Sequence, residues 1–115
     1  MNDDRTTVDE LKRVIADFVA ERDWEQFHDP KNLSMAIAIE AAELMEHFQW
    51  LRNDEVEGAL SDDQRDQIAD ELADVAAFLL SLANVLGTDL SAAIERKMSK
   101  NAVKYPAEEF RGRFR

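Results

Sequence analysis

A chain of 115 residues suffices for one domain with a modest core, and 45% hydrophobic residues set it apart from disordered chains. Three glycines and two prolines are too few turn-formers for a many-stranded β fold, and the lack of cysteine excludes disulfides, thiolate metal sites and a cysteine nucleophile. The net charge of −11, from 25 acidic against 14 basic residues, repels duplex nucleic acid, with no basic stripe to offset it. No apolar run reaches the ~18 residues of a membrane span, and the acidic, polar start MNDDRTTVDE does not resemble a secretion signal. The expectation is a single soluble, cytoplasmic domain over residues 1–115, all-α, with no nucleic-acid or membrane partner.

Thr7-Val-Asp-Glu10 has the spacing of a capping box and predicts a first helix running to about Arg22, with Leu11, Val14, Ile15, Phe18 and Val19 as its apolar positions. Pro30 disfavours helix at Asp29, so a bend is expected there. A second helix then runs from Leu33, capped by Asn32, to Leu51. Residues 52–60 read as a loop with room for one short helical turn. Ser61-Asp-Asp-Gln64 is another capping box and opens a third helix that reaches Leu86, where Gly87 stops it. Thr88 or Asp89 caps a fourth helix over Leu90–Lys104, Pro106 ends it, and residues 107–115 form a polar tail. Four helices with short connections suggest an antiparallel bundle. Phe78 and Val85 make the third helix apolar over more than one bundle needs, which favours an oligomer that buries the surplus.

The second helix carries Leu33, Ile37, Leu44, Phe48 and Leu51 as one stripe, with Glu40 inside it and Glu43 at its edge. The third repeats the feature with Glu71 and Asp74 beside Ile68, Leu72, Val75 and Leu79. Residues three apart share nearly one helix face. If the two faces meet, four carboxylates converge into an oxygen-only site suited to Mg²⁺; otherwise they are solvated flank charges. A di-iron bundle would use a Glu-x-x-His step, which His47, four residues after Glu43, does not supply. Trp24, Phe27 and His28 precede this helix and Trp50 ends it, as rings to sandwich a nucleobase or as plugs for the bundle ends. Lys97, Asn101 and Lys104 share a face of the fourth helix, where they neutralise phosphate or relieve the helix dipole.

RDWEQFH (22–28), NL (32–33), EAAELMEHFQW (40–50), ELADV (71–75) and KMSKNAVKYP (97–106) together resemble the MazG-type all-α nucleoside triphosphate pyrophosphohydrolases, in their dCTP pyrophosphatase branch. The likeness covers Leu11 to Pro106. It implies a four-helix MazG-like bundle assembled through a helical oligomer interface, as a dimer or a tetramer of dimers with the active site shared between subunits. It further implies Mg²⁺ on Glu40, Glu43, Glu71 and Asp74, and a base pocket lined by Trp24, His28 and Trp50. The reaction it implies is cleavage of dCTP or a related, modified dNTP between the α and β phosphates. Glu43 is expected to orient the attacking water, with Glu40 beside it in the catalytic centre and Lys97 and Asn101 steadying the phosphates. Phe27 and Phe78 complete the expected substrate contacts. Ile15 and Phe78 stand where animal members carry a histidine and a tyrosine, which leaves the metal chemistry intact and the base preference open. The alternative is a helical module that binds nucleotide or metal without turnover.

Overall fold

The computed structural model describes residues 1–113; Phe114 and Arg115, the end of the expected polar tail, lie outside the described residues. Among the described residues there are six α-helices, one 3₁₀ turn and no strand: α1 (Val8–Glu21), the turn Glu25–Phe27, α2 (Pro30–Glu46), α3 (Val56–Ala59), α4 (Asp62–Leu86), α5 (Leu90–Lys104) and α6 (Ala107–Phe110).

The helix starts follow local chemistry. Thr7 and Ser61 each accept from the backbone N–H three residues on, and Glu10 and Gln64 return the bond, so both capping boxes form. Asp89 caps α5 by accepting from the Ala92 N–H. The start of α2 differs from the expectation. Asp29, not Asn32, is the cap, accepting from the Asn32 N–H at 2.8 Å, and Pro30 is the first helical residue. A proline there needs no N–H partner and arrives with helical φ; the bend it imposes lies just before the helix. Asn32 instead donates its amide to the Phe27 carbonyl at 3.2 Å and ties the 3₁₀ turn to α2.

The far end of α2 also departs from the expectation. The helix stops at Glu46, and residues 47–51 continue as tight turns, with Phe48 and Gln49 N–H both donating to the Met45 carbonyl. The apolar spacing of Phe48 and Leu51 persists through those turns without extending the helix. The tail is not wholly irregular either: residues 107–110 make one helical turn, and Phe110 packs edge-on against Tyr105 at 5.2 Å.

α2 packs along α4, and α1 packs across α4; other pairs of elements touch sparsely. The core of this contact is Leu33, 1% exposed, with Val19, Leu80 and Ala83. Burying a leucine this fully stabilises by about 1.5–3 kcal/mol. Lys12 donates to the Thr88 carbonyl at 2.5 Å, and the Asn84 amide donates to the Lys12 carbonyl at 3.1 Å, fastening α1 to the end of α4. There Gly87 takes φ 64 and turns the chain, so that α5 leaves at 100° to α4. Among the described residues no single helix is long and apolar enough to cross a membrane; α4 and α5 meet that measure only as this bent pair.

A folded monomer of this mass exposes about 6,400 Å², whereas this chain exposes 9270 Å². Its radius of gyration is 17.2 Å, against about 13 Å for a compact chain of equal length.

Candidate active site

Glu40 and Glu43 stand one turn apart on α2, facing Glu71 on α4. One carboxylate oxygen from each of these three lies within 4.8 Å of the others. Asp74, one turn beyond Glu71, is not in that cluster, but its charge still acts on Glu40. Glu40 and Glu71 are half-buried and Glu43 is exposed. The inner oxygens, Oε2 of Glu40 and Oε2 of Glu71, are buried with no hydrogen-bond partner. Orphaned buried acceptors of this kind are rare in folded proteins.

Electrostatics express the crowding. Glu40 is raised from its ordinary 4.5 to about 7, first because burial disfavours its charge, then because Glu43 shares a hydrogen bond with it and Glu43, Asp74 and Glu71 repel it. Without a cation, Glu40 therefore keeps its proton to well above the usual carboxylate range. Hard oxygen donors, two unsatisfied inner oxygens and a carboxylate poised to lose its proton are a donor set that fits Mg²⁺.

Beside the acids lies a cavity of about 400 Å³, lined by Ile15, Phe18, Val19, Trp24, His28, Asp74, Ala77, Phe78 and Ser81. This is the size of a small-ligand pocket. Asp74 belongs to its wall and joins it to the carboxylates. Phe18, Trp24, His28 and Phe78 form a train of rings at centroid spacings of 5.8, 6.5 and 6.3 Å.

The α1 terminus explains how Trp24 arrives there. Asp23 adopts φ 53, and the Trp24 and Asp23 N–H groups donate back to the carbonyls of Val19 and Ala20. This is a Schellman stop with aspartate in the left-handed position. It folds Trp24 against Phe18, whose ring carries the Arg22 guanidinium at 3.7 Å.

The expected site residues therefore fall into two groups. Glu40, Glu43 and Glu71 converge, and Asp74, Trp24, His28 and Phe78 meet at the adjoining cavity. Phe27 is 59% exposed and Trp50 87% exposed, both off the cavity lining. Lys97 and Asn101 lie on α5, past the 100° corner. Asp74 to Leu86 alone spans about 18 Å of helix, so these two do not reach the acids of their own chain.

Two neighbours were missed in the sequence. His47 Nε2 lies 3.9 Å from Glu71 Oε1; its spacing, four residues after Glu43 and seven after Glu40, was the available signal. Phe18 joins the ring train although its spacing marked it only as core. A larger cavity, about 620 Å³, opens between the start of α1 and the α4–α5 corner, but its cations are engaged: Lys12 on the Thr88 carbonyl, Arg13 on Asp9 at 2.6 Å.

A family model described as the MazG-like family matches residues 35–113. A dCTP pyrophosphatase 1 from Bos taurus is 43% identical over 108 residues, covering 92% of this chain and 63% of that protein. The Homo sapiens dCTP pyrophosphatase 1 is 42% identical over 102 residues, covering 88% and 60%. This chain thus spans less than two thirds of the length of the curated relatives it matches. The crystal structure of a pyrophosphatase from Archaeoglobus fulgidus is similar with a TM-score of 0.80 at 37% identity, covering 92% of this chain and 98% of that one. Matched by the family model over most of its length, and by a solved relative that it covers almost completely, the chain belongs to the MazG-like family.

Proposed function

We propose that this chain is a single-domain, Mg²⁺-dependent nucleoside triphosphate pyrophosphohydrolase. Its substrate is dCTP or a related, modified dNTP, cut between the α and β phosphates to the monophosphate and pyrophosphate. The observation that carries this reading is the junction of an all-carboxylate cluster from two helices with an aromatic cavity, whose wall holds Asp74, one turn beyond Glu71 of the cluster. Likeness to proteins named dCTP pyrophosphatase selects the nucleotide.

Glu40, Glu43, Glu71 and Asp74 are the residues that would hold the cation. Bound Mg²⁺ would neutralise the triphosphate and the charge that develops as the bridging bond breaks. Trp24, His28 and Phe78 hold the base by ring stacking, a contact worth about 1–3 kcal/mol. Glu43, the exposed acid, orients the attacking water and takes its proton. Glu40 loses its own proton when the cation binds.

The functional unit is an oligomer, a dimer or a tetramer of dimers. The excess of exposed surface over that of a compact monomer supports this, as do Met35, Ile39, Leu72, Ile94 and Met98 standing about half exposed. Lys97 and Asn101 serve the phosphates of a neighbouring copy, and Trp50 and Phe27 become covered in the assembly.

Pyrophosphate release from a panel of dNTPs, with and without Mg²⁺, tests the activity. Mg²⁺-dependent release of pyrophosphate with a monophosphate co-product is expected, fastest for a cytosine nucleotide. Saturable nucleotide binding without turnover would instead make the chain a non-catalytic binding module.

A further inference from the structure

We propose that His47 is a positioning residue for Glu71: its Nε2–H holds one carboxylate oxygen of Glu71 so that the other faces the cation. This role rests on the cation-site reading above.

Four observations carry it. Among the described residues, His47 is the one basic side chain within 4.0 Å of any of the four acids, at 3.9 Å from Glu71 Oε1. The two side chains are largely buried, at 22% and 23% exposed. The other oxygen, Glu71 Oε2, is buried without a partner. Finally, the ring nitrogen lies outside the group of oxygens that approach one another within 4.8 Å. His47 thus meets the cluster through Glu71 and is not one of its members.

The backbone accounts for this placement. His47 is the C-terminal cap residue of α2, its N–H donating to the Leu44 carbonyl. Four residues beyond Glu43, it keeps the face that carries the acids and points across to α4. A separation of 3.9 Å is an ion-pair distance, too long for a hydrogen bond, and a shift of about 1 Å closes it to one. A donor on one carboxylate oxygen fixes the rotamer and aims the remaining lone pairs. Outer partners of metal ligands do this widely, and removing one typically weakens metal binding about 10–100-fold.

The test compares wild type, His47→Leu and His47→Gln. Mn²⁺ binding is titrated by electron paramagnetic resonance without nucleotide, and Mg²⁺ dependence is measured in turnover. His47→Leu should bind Mn²⁺ about tenfold more weakly or worse. The Mg²⁺ concentration for half-maximal rate should rise by a similar factor, with kcat at saturating Mg²⁺ nearly kept. His47→Gln, which restores an N–H donor, should recover most of the affinity.

Equal Mn²⁺ affinity in all three proteins overturns the role. So does equal weakening in Gln and Leu, which would mark the ring as packing. Tighter binding in His47→Leu would make the ring a counter-charge and overturn it too. If wild type takes up no Mn²⁺, the cation-site reading falls as well; uptake indifferent to His47 removes this inference alone.

Discussion

In the α2–α4 seam, Leu33 is 1% exposed and three carboxylates converge on a common point. In the α5–α6 arm, Ile94 and Met98 each stand 54% exposed, and the helix touches its own chain only sparsely. Charge divides along the same line. Residues 1–89 hold 22 acidic and seven basic residues, a net −15, while residues 90–115 hold three acidic and seven basic, a net +4. The seam has its packing and its chemistry within one chain. The arm differs: Ile94 and Met98 stand uncovered, and among the described residues none of its cations forms an ion pair. On the oligomer proposed above, this basic, half-apolar helix, carried off an acidic body at 100°, would be the part offered to a second copy, where −15 would meet +4 and the surplus surface would be buried.

If this division holds, damage to the seam destroys chemistry without touching assembly. Glu40→Ala and Asp74→Ala should each lower turnover by at least about 10³-fold, the scale of losing a group that stabilises transition-state charge. Far-UV circular dichroism and sedimentation should remain those of wild type, because both substitutions relieve like-charge crowding. Near-normal turnover in either variant would remove the quartet from the mechanism. Damage to the arm should show the reverse pattern. Ile94→Glu puts a charge on the uncovered stripe and should shift sedimentation toward the monomer. Activity should fall about 10–100-fold if Lys97 and Asn101 serve a neighbour, the equivalent of about 1.4–2.7 kcal/mol of lost contact. A variant that stays oligomeric and active would show that α5 is merely a solvated helix.

The same division shows what could be read from the amino acids. The two capping boxes, the stop at Gly87 and the three-residue steps Glu40–Glu43 and Glu71–Asp74 are local or periodic signals; that Glu40, Glu43 and Glu71 converge while Asp74 stays outside their cluster is decided by packing. The α2 boundaries were harder. Pro30 acts against helix before it and for helix after it, and the choice of Asp29 as cap depends on a side chain finding the Asn32 N–H. Phe48 and Leu51 keep the helical period through turns, and both are half-buried. The step from Glu43 tests His47 only as a metal ligand; its partner, Glu71, is 24 residues away and comes near only by packing. The left-handed Asp23 that delivers Trp24 carries no glycine to announce it. For Lys97 and Asn101 the spacing predicts a shared face, but a helix period does not say what that face meets.

The smallest expected effect sharpens the comparison most directly, because it concerns one proton in the seam and none in the arm. Glu40 ionises near 4.5 when unfolded and near 7 when folded. Between those values the folded chain binds the extra proton, so each rise in pH through that window removes stability. In cation-free buffer, wild type should melt progressively lower than Glu40→Gln as pH climbs from 5 to 8, by a few degrees at the top. The two should lie closest at pH 5, near the unfolded value, where glutamine best imitates the acid that the fold keeps protonated. Saturating Mg²⁺ should abolish or reverse the gap at pH 8, since the cation favours the ionised carboxylate that glutamine lacks. Ile94→Glu should leave the gap in place, because no group on the arm takes part in it. Parallel melting curves for wild type and Glu40→Gln across the range would mean that the seam stores no proton, and that its acids are as well solvated as those elsewhere on the surface.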